Sequence, residues 1–192
     1  GGRLNEVDGD YSFAGGRRAK VGAAHDGSFI WADQTDADFS SSAANQFRAR
    51  ATGGVQFIAG IGPETGVELI PGSGSWSTLS DRNVKDNVEE VDVDELLERL
   101  AAMPIGAWNY KTQDASVRHI GPMAQDFFAA FGVGDKETLI SSVDADGVAL
   151  AAIQALYKRT QQLQDQAEEI EVLKAQLAEV QSLLAKLAAV KK

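Results

Sequence analysis

The chain has 192 residues, of which 44% are hydrophobic and 24% charged, and its formal net charge is −10. This composition is globular rather than disordered, and the length suits one domain or two small modules. The acidic balance argues against nucleic acid and anionic membrane surfaces as partners, because phosphate groups attract Lys and Arg.

Residue counts exclude several kinds of site. There is no cysteine, so neither a disulfide framework nor a thiolate metal site can form. The only histidines are His25 and His119, which argues against a multi-histidine metal centre. No run of about 18 apolar residues predicts a membrane span. The opening residues, GGRLNEVDGD, lack the basic and apolar parts of a signal peptide. We expect no cofactor, no metal and no membrane insertion, and a start that continues a longer chain.

Residues 1–79 are predicted to be a β-rich segment. Short apolar or aromatic pieces alternate there with turn-forming residues. These pieces are residues 11–16, 27–33, 45–51 and 53–60. Large apolar residues are too few to build a sandwich within one chain. The pattern therefore favours a solenoid or an interwound β-prism whose core is shared between copies, with an ordinary all-β domain as the alternative.

Two further features mark this segment. Residues 9–33, GDYSFAGGRRAKVGAAHDGSFIWAD, resemble the head repeats of trimeric autotransporter adhesins in their small-residue and Gly periodicity. Residues 71–75, PGSGS, are expected to be a flexible joint, because Gly and Ser lack the side chains that restrict a backbone.

A change from turn-rich to helical patterning occurs at SDRNVK, Ser80 to Lys85. A Ser hydroxyl keeps its proton at neutral pH, but a neighbouring neutral Lys amine could remove it, so the pair forms a workable nucleophile and base. On spacing alone, a solvated turn is the commoner explanation. Asn83 could donate to an oxyanion or cap the loop.

Residues 80–156 are predicted to form a small α+β module. After Asp92, an acidic first turn and the apolar residues of LLERL predict an amphipathic helix that ends near Pro104. Residues 105–110 predict a strand, and residues 120–122 a turn. The turn leads into a helix with an aromatic stripe, which is typical of a core.

Two polar features of this module allow alternative interpretations. His119 could assist proton transfer at Ser80, or it could be a structural residue bonded to a nearby carbonyl. Residues 142–147, SVDADG, look like a calcium loop but are too short and lack the later bidentate Glu. A turn or helix cap is the better interpretation of Asp144 and Asp146, and no calcium is expected.

From about Gly147 to Lys192 the sequence predicts a long helix. One heptad series contains Leu156, Leu163, Ile170, Leu177 and Leu184. Three residues further on, the second contains Arg159, Gln166, Leu173, Val180 and Leu187. Taken as a and d positions, these residues predict a coiled coil over 157–192. The alternative is a helix folded back on its own domain.

Four motifs follow one another from Ser80 to Leu156. They are SDRNVKDNVEEVD, LLERLAAMPIGAWNYK, RHIGPMAQDFFAAFG and VDADGVALAAIQAL. Together they resemble the C-terminal intramolecular chaperone domain of phage tailspikes and tail fibres, the peptidase S74 family typified by endosialidases. The resemblance implies that Ser80 is the nucleophile, Lys85 the base and Leu79–Ser80 the scissile bond. His119 and Asn83 are candidate supporting residues.

The expected protein is of mixed fold and divides into three domains. These are a β-prism- or solenoid-like fibre segment (1–79), an S74-type chaperone and autoprotease (80–156), and a trimerisation helix (157–192). The resemblance implies a parallel homotrimer that templates its upstream fibre and then cuts itself free. It also implies a virion location after assembly in the host cytoplasm, where the released fragment remains.

The sequence leaves two other functions open. The chain could be a structural stalk or adhesin that does not cut itself. Alternatively, its β-rich segment could bind a host-surface glycan, with Trp31 and Trp76 as stacking platforms.

Overall fold

The computed structural model describes residues 1–62 and 65–190. The predicted d-position side chain of Leu187 and the terminal Lys191 and Lys192 lie outside the described residues. The chain divides into two compact units, Gly1–Asn87 and a second that begins at Val88. Within the described residues, no helix is both long and apolar enough to cross a membrane.

A β-solenoid forms the first part of the first unit. Its seven short strands are β1 (Gly2–Arg3), β2 (Glu6–Val7), β3 (Phe13–Arg17), β4 (Ala19–Val21), β5 (Phe29–Ala32), β6 (Phe39–Ser40) and β7 (Phe47–Arg50). They form two sheets, β1-β3-β5-β7 and β2-β4-β6, in which every neighbouring pair is parallel. The chain thus winds through both sheets once per turn, and the solenoid prediction is confirmed.

The core between these two sheets is narrow. It consists of Ala19, Val21, Ile30 and Ala32, none more than 1% exposed. Small inward side chains allow the two sheets to approach closely, which is why the segment folds with so few large apolar residues. Each chain therefore encloses a core of its own.

Cationic side chains close one end of this core. In the register of β7 on β5, Arg48 lies opposite Ile30 and Arg50 opposite Ala32, so two Arg occupy positions that are apolar one turn earlier. Their guanidinium carbons lie 4.7 and 5.1 Å from the ring centre of Phe39. This cation–π packing covers the last turn of the core.

Asp33 stabilises the same end of the solenoid core. Its carboxylate accepts hydrogen bonds from the hydroxyl (2.6 Å) and the backbone N–H (2.8 Å) of Thr52, and from the N–H of Thr35 (3.1 Å). It also pairs with Arg50 at 3.1 Å. The hydrogen bonds from Thr52 hold the pKa of Asp33 well below its usual range.

A three-stranded antiparallel sheet follows the solenoid. It contains β8 (Val55–Ile58), β9 (Gly66–Leu69) and β10 (Trp76–Thr78), in the order β10-β9-β8. The prediction of a flexible joint at 71–75 was wrong, because these residues form the turn of the β9–β10 hairpin. Gly72 takes a positive φ of 77°, and Ser73 donates its N–H to the carbonyl of Ile70 at 2.9 Å.

The second unit is a small α+β region that ends in a long helix. Its elements are α1 (Val93–Ala102), β11 (Gly106–Trp108), β12 (His119–Gly121), α2 (Ala124–Phe131) and α3 (Ser142–Val190). As predicted, Asp92 caps α1, accepting from the N–H groups of Asp94 and Glu95. The predicted turn at 120–122 was wrong for Ile120 and Gly121, which pair with β11.

Two apolar clusters hold this unit together. Leu97 of α1 packs against Ala152 and Ala155 of α3. The second cluster joins Met103 and Phe127 to Val148, which brings the predicted aromatic stripe of α2 into the core. The start of α3 is thus part of the globular region.

Helix α3 begins five residues earlier than predicted. Asp144 lies in its first turn, where a negative charge favours the helix dipole, so the SVDADG stretch is neither a turn nor a cap. From Thr160 to Lys186 every side chain is exposed, and the fold-back alternative is therefore wrong. The apolar seam, defined as Leu156, Leu163, Ile170, Leu177 and Leu184, lies open along the helix.

We expect Asp33→Asn to weaken the solenoid at neutral pH. Because the pKa of Asp33 is lower in the folded chain, its ionised form stabilises that state above about pH 4, and the stabilisation is lost as the pH falls below it. Hydrogen–deuterium exchange of residues 29–50, corrected for intrinsic rates, should therefore accelerate in acid in the wild type. In the variant it should be fast already at pH 7. Asp8→Asn, at an exposed carboxylate, is the control, and identical exchange in both variants would contradict this role.

We expect Leu97→Ala to loosen α1 from α3. Truncating a buried Leu costs about 3 kcal/mol, because the cavity is only partly refilled. If α1 opens locally, amide exchange over residues 93–102 should rise about a hundredfold, since 1.4 kcal/mol is a factor of ten. Leu139→Ala removes an exposed side chain and serves as the control. Unchanged exchange in Leu97→Ala would show that α1 is held by other contacts.

Candidate active site

Ser80 lies just beyond the end of the three-stranded sheet. Strand β10 ends at Thr78, Leu79 follows, and a single turn of 3-10 helix occupies Arg82–Val84. Asp81 caps that turn, since its carboxylate accepts the N–H of Asn83 at 2.9 Å. This turn brings the side chain of Lys85 within reach of Ser80.

The side chains of Ser80 and Lys85 are in direct contact. Nζ of Lys85 donates a hydrogen bond to Oγ of Ser80 at 2.7 Å, and both residues are exposed. This distance is within the range required for proton transfer between a nucleophile and its base. To act as the base, the amine must be neutral, so that its lone pair can accept the proton of Ser80.

The side chain of Asn83 is engaged locally. Its Nδ2 donates to Oδ1 of Asp81 at 2.9 Å, the same oxygen that accepts its backbone N–H. Of the two roles predicted for Asn83, this geometry favours the loop cap.

A cleft of about 350 Å³ adjoins the Leu79–Ser80 bond. It is lined by Leu79 and Ser80 and by residues of all three strands, namely Gln56, Ile58, Gly66, Val67, Glu68, Ser77 and Thr78. Leu79 itself is 44% exposed. The candidate scissile bond is therefore open to solvent and borders a space that can hold water.

His119 belongs to the second unit. Its ring lies 4.8 Å from that of Trp108 and 5.6 Å from that of Tyr110, and its Nε2 is 2.9 Å from Oε1 of Gln113. These contacts fix the ring, as expected of a structural histidine. Assistance by His119 at Ser80 stays a prediction.

Features relevant to a glycan or a metal are sparse. Trp31 and Trp76 are 40% and 51% exposed, but they lie on different sheets, and Trp76 packs on Phe57 with ring centres 5.6 Å apart. In residues 1–62 and 65–190, no three acidic or histidine side chains are grouped as a metal site requires.

Residues 80–133 match a family model described as Peptidase S74, chaperone of endosialidase. The chain carries an S74 chaperone-of-endosialidase domain. The matched region begins at Ser80, includes Lys85 and His119, and extends through α2, and the β-solenoid precedes it. A domain of this family implies an intramolecular chaperone role in a trimeric fibre and suggests autoproteolytic activity.

The residues of β9 that line the cleft were not predicted from the sequence. Residues 66–78, GVELIPGSGSWST, contain two short strand-forming runs around a Pro-Gly turn, which is a hairpin signal. Applied to this stretch, that rule would have predicted β9 beside β10. Glu68 would then have been placed on the strand next to Ser77.

Proposed function

We propose that residues 80–192 are an intramolecular chaperone that trimerises, templates the β-structured fibre upstream, and then cuts its own chain between Leu79 and Ser80. The main support is the 2.7 Å hydrogen bond between Lys85 and Ser80. It occurs at the first residue of the region that matches the S74 family.

The proposed cut begins with attack by Ser80 on the preceding carbonyl. As Oγ bonds to the carbonyl carbon of Leu79, its proton passes to the neutral amine of Lys85. The bond from that carbon to the nitrogen of Ser80 then breaks, and Lys85 returns the proton to the nitrogen. The product is an ester between Leu79 and the side chain of Ser80. Water hydrolyses this ester, giving a carboxylate on Leu79 and a free Ser80.

A second route reaches the same products. Lys85 could activate a water molecule that attacks the Leu79 carbonyl directly, without an ester. The two routes differ in whether the chain ever carries a bond that hydroxylamine can cleave.

In this proposal, assembly of the trimer activates Lys85 as the base. Lys85 is exposed in the single chain, and only a neutral amine can accept a proton. Packing of three chains around the site would remove water from the amine and favour the neutral base. The chain would then cut itself only after correct assembly.

The exposed seam of α3 provides the means of assembly. Apolar residues at heptad spacing, with charged residues elsewhere, are typical of parallel coiled coils. A coiled coil has local contacts and associates quickly, whereas the parallel pairings of the solenoid span about one turn of chain and form slowly. Holding three chains in register would raise the effective concentration of their β segments.

The remaining parts of the proposal follow from this order of events. The fibre segment is residues 1–79, the chaperone and autoprotease 80–156, and the trimerisation helix 157–192. Loss of the template would leave the assembled fibre kinetically trapped. The fibre would then become part of a virion, and the chaperone fragment would stay in the host cytoplasm.

The alternative function, a structural stalk, would also be a trimer but would not cleave itself.

We expect the purified wild-type chain to separate into fragments at Leu79–Ser80. Ser80→Ala should stay whole, because it lacks the nucleophile. Lys85→Ala should cut at least about 100-fold more slowly, because the base is lost.

Intact-mass spectrometry over time, with size-exclusion chromatography and light scattering, measures both cutting and assembly. Lys111→Ala removes another exposed Lys and should cut at the wild-type rate. A whole wild-type trimer after long incubation would favour the stalk, and rapid cutting by Lys85→Ala would remove Lys85 from the mechanism.

The seam of α3 gives a separate test of assembly. We expect the double variant Leu163→Asp and Leu177→Asp to be monomeric and uncut, because charges at a positions oppose packing of the helices. The matched control, Gln161→Asp and Ala175→Asp, places the same charges two positions before each altered residue, on the outer face. It should remain trimeric. Light scattering gives the mass, and a trimeric seam variant would contradict the assignment of the interface.

A further inference from the structure

One face of the three-stranded sheet carries a carboxylate beside the proposed scissile bond. Glu68 of β9 is paired in register with Ser77 of β10 on one side and Gln56 of β8 on the other. Residues directly opposite one another project to the same face. The three side chains therefore form a row across the sheet. Ser77, at one end of this row, lies two residues before Leu79.

Glu68 faces the cleft that adjoins the bond. It lines the same space of about 350 Å³ as Leu79 and Ser80, and it is partly buried. Gly66, two residues earlier in β9, also lines this cleft. Glu68 thus borders the same cleft as the two residues of the proposed scissile bond, and the cleft is large enough to admit water.

Among the residues that the structure describes, no side chain is bonded to the Glu68 carboxylate. Within the part of the chain that the structure describes, the acidic partners of the salt bridges are other residues, and no side-chain hydrogen bond reaches the Glu68 carboxylate. A partly buried carboxylate needs hydrogen-bond donors. Water in the cleft is the donor that this position offers.

The second step of the proposed cut requires such a group. Once the ester has formed, Oγ of Ser80 is bonded to Leu79, and water must be held against the acyl carbon and lose a proton. Lys85 contacts Oγ, which is the leaving atom of this step. A base on the sheet side would approach the same carbonyl from the cleft.

We infer that Glu68 holds and deprotonates the water that hydrolyses the ester, an inference that rests on the proposed self-cleavage. The water oxygen bonds to the acyl carbon of Leu79, and its proton passes to the Glu68 carboxylate. The bond from that carbon to Oγ of Ser80 breaks, and Oγ takes the proton back from Glu68. One water is consumed, and Glu68 ends as it began.

This assignment divides the chemistry between two parts of the chain. Ser80 and Lys85 lie within the region that matches the S74 family, whereas Glu68 lies outside it, in the fibre segment. The sheet that ends just before Leu79 would also supply the base for its release. Ester formation would then depend on the chaperone, and ester hydrolysis on the folded sheet of its substrate.

The test uses the full chain with Glu68→Gln, which keeps the shape and removes the base. We expect a folded trimer that runs as one full-length band on a denaturing gel, because its ester hydrolyses about 100-fold more slowly. Hydroxylamine at neutral pH should split that band and leave a hydroxamate on Leu79. The chain has no Asn-Gly bond, which hydroxylamine also cleaves.

Two further variants make the result specific. Glu68→Asp retains a carboxylate and should hydrolyse faster than Glu68→Gln, whereas a purely structural side chain would not show that order. Glu168→Gln removes an exposed charge from α3 and should behave as the wild type.

The outcomes separate this inference from the function on which it rests. Free fragments from Glu68→Gln at the wild-type rate would overturn the role of Glu68 and leave self-cleavage intact. A full-length Glu68→Gln chain that resists hydroxylamine would also overturn it, because no ester would have formed. A whole, hydroxylamine-resistant wild-type trimer would instead refute self-cleavage.

Discussion

The pairing of β10 with β9 determines where the site begins. Three residue pairs, Trp76 with Leu69, Ser77 with Glu68 and Thr78 with Val67, hold the last strand of the fibre segment. The Leu79–Ser80 bond lies one residue beyond the last of these pairs. Its acyl side is therefore anchored by the sheet, while the bond itself is free of the hydrogen-bond ladder. Such an arrangement keeps a carbonyl in place without removing it from attack.

The other side of the bond is positioned by local geometry. Asp81 caps the single 3-10 turn, and this turn brings Lys85 onto the hydroxyl of Ser80. A pair five residues apart can therefore meet without help from distant parts of the chain. In the single chain, however, both side chains are exposed to water. In the proposed mechanism, geometry comes from the sequence nearby and activation comes from neighbouring copies.

How much was predictable from sequence depended on the range of the interactions. The cap at Asp92 and the heptads of α3 act within a few turns, and both patterns led to the right elements. The S74 motifs predicted Ser80 and Lys85 as nucleophile and base, and these roles stay a prediction, although the two side chains are in contact. The hairpin around residues 71–75 was missed because Gly and Ser also suit a flexible joint.

Non-local pairing explains why the other features were not predicted from the sequence. The rungs of the solenoid are stabilised by partners a full turn away, and strands as short as β2 and β6 carry no pattern of their own. Glu68 is one acidic residue among many, and only the register of β9 on β10 places it near the proposed scissile bond. A residue whose role depends on pairing across a sheet cannot be identified by its neighbours in sequence.

The Arg48 and Arg50 cap has a consequence for how such segments behave at high concentration. A parallel solenoid presents unpaired backbone groups at its ends, and a second solenoid could extend the stack there indefinitely. Any rung added onto β7 would have to pack over Arg48 or displace both guanidinium groups from Phe39, and Arg50 also from Asp33 and the carbonyls of Thr35 and Ala37. The cap therefore blocks end-to-end polymerisation at that end of the solenoid. At that end, the solenoid therefore has only the turns that its own chain forms. Gatekeeper charges have the same effect at the edges of aggregation-prone sheets.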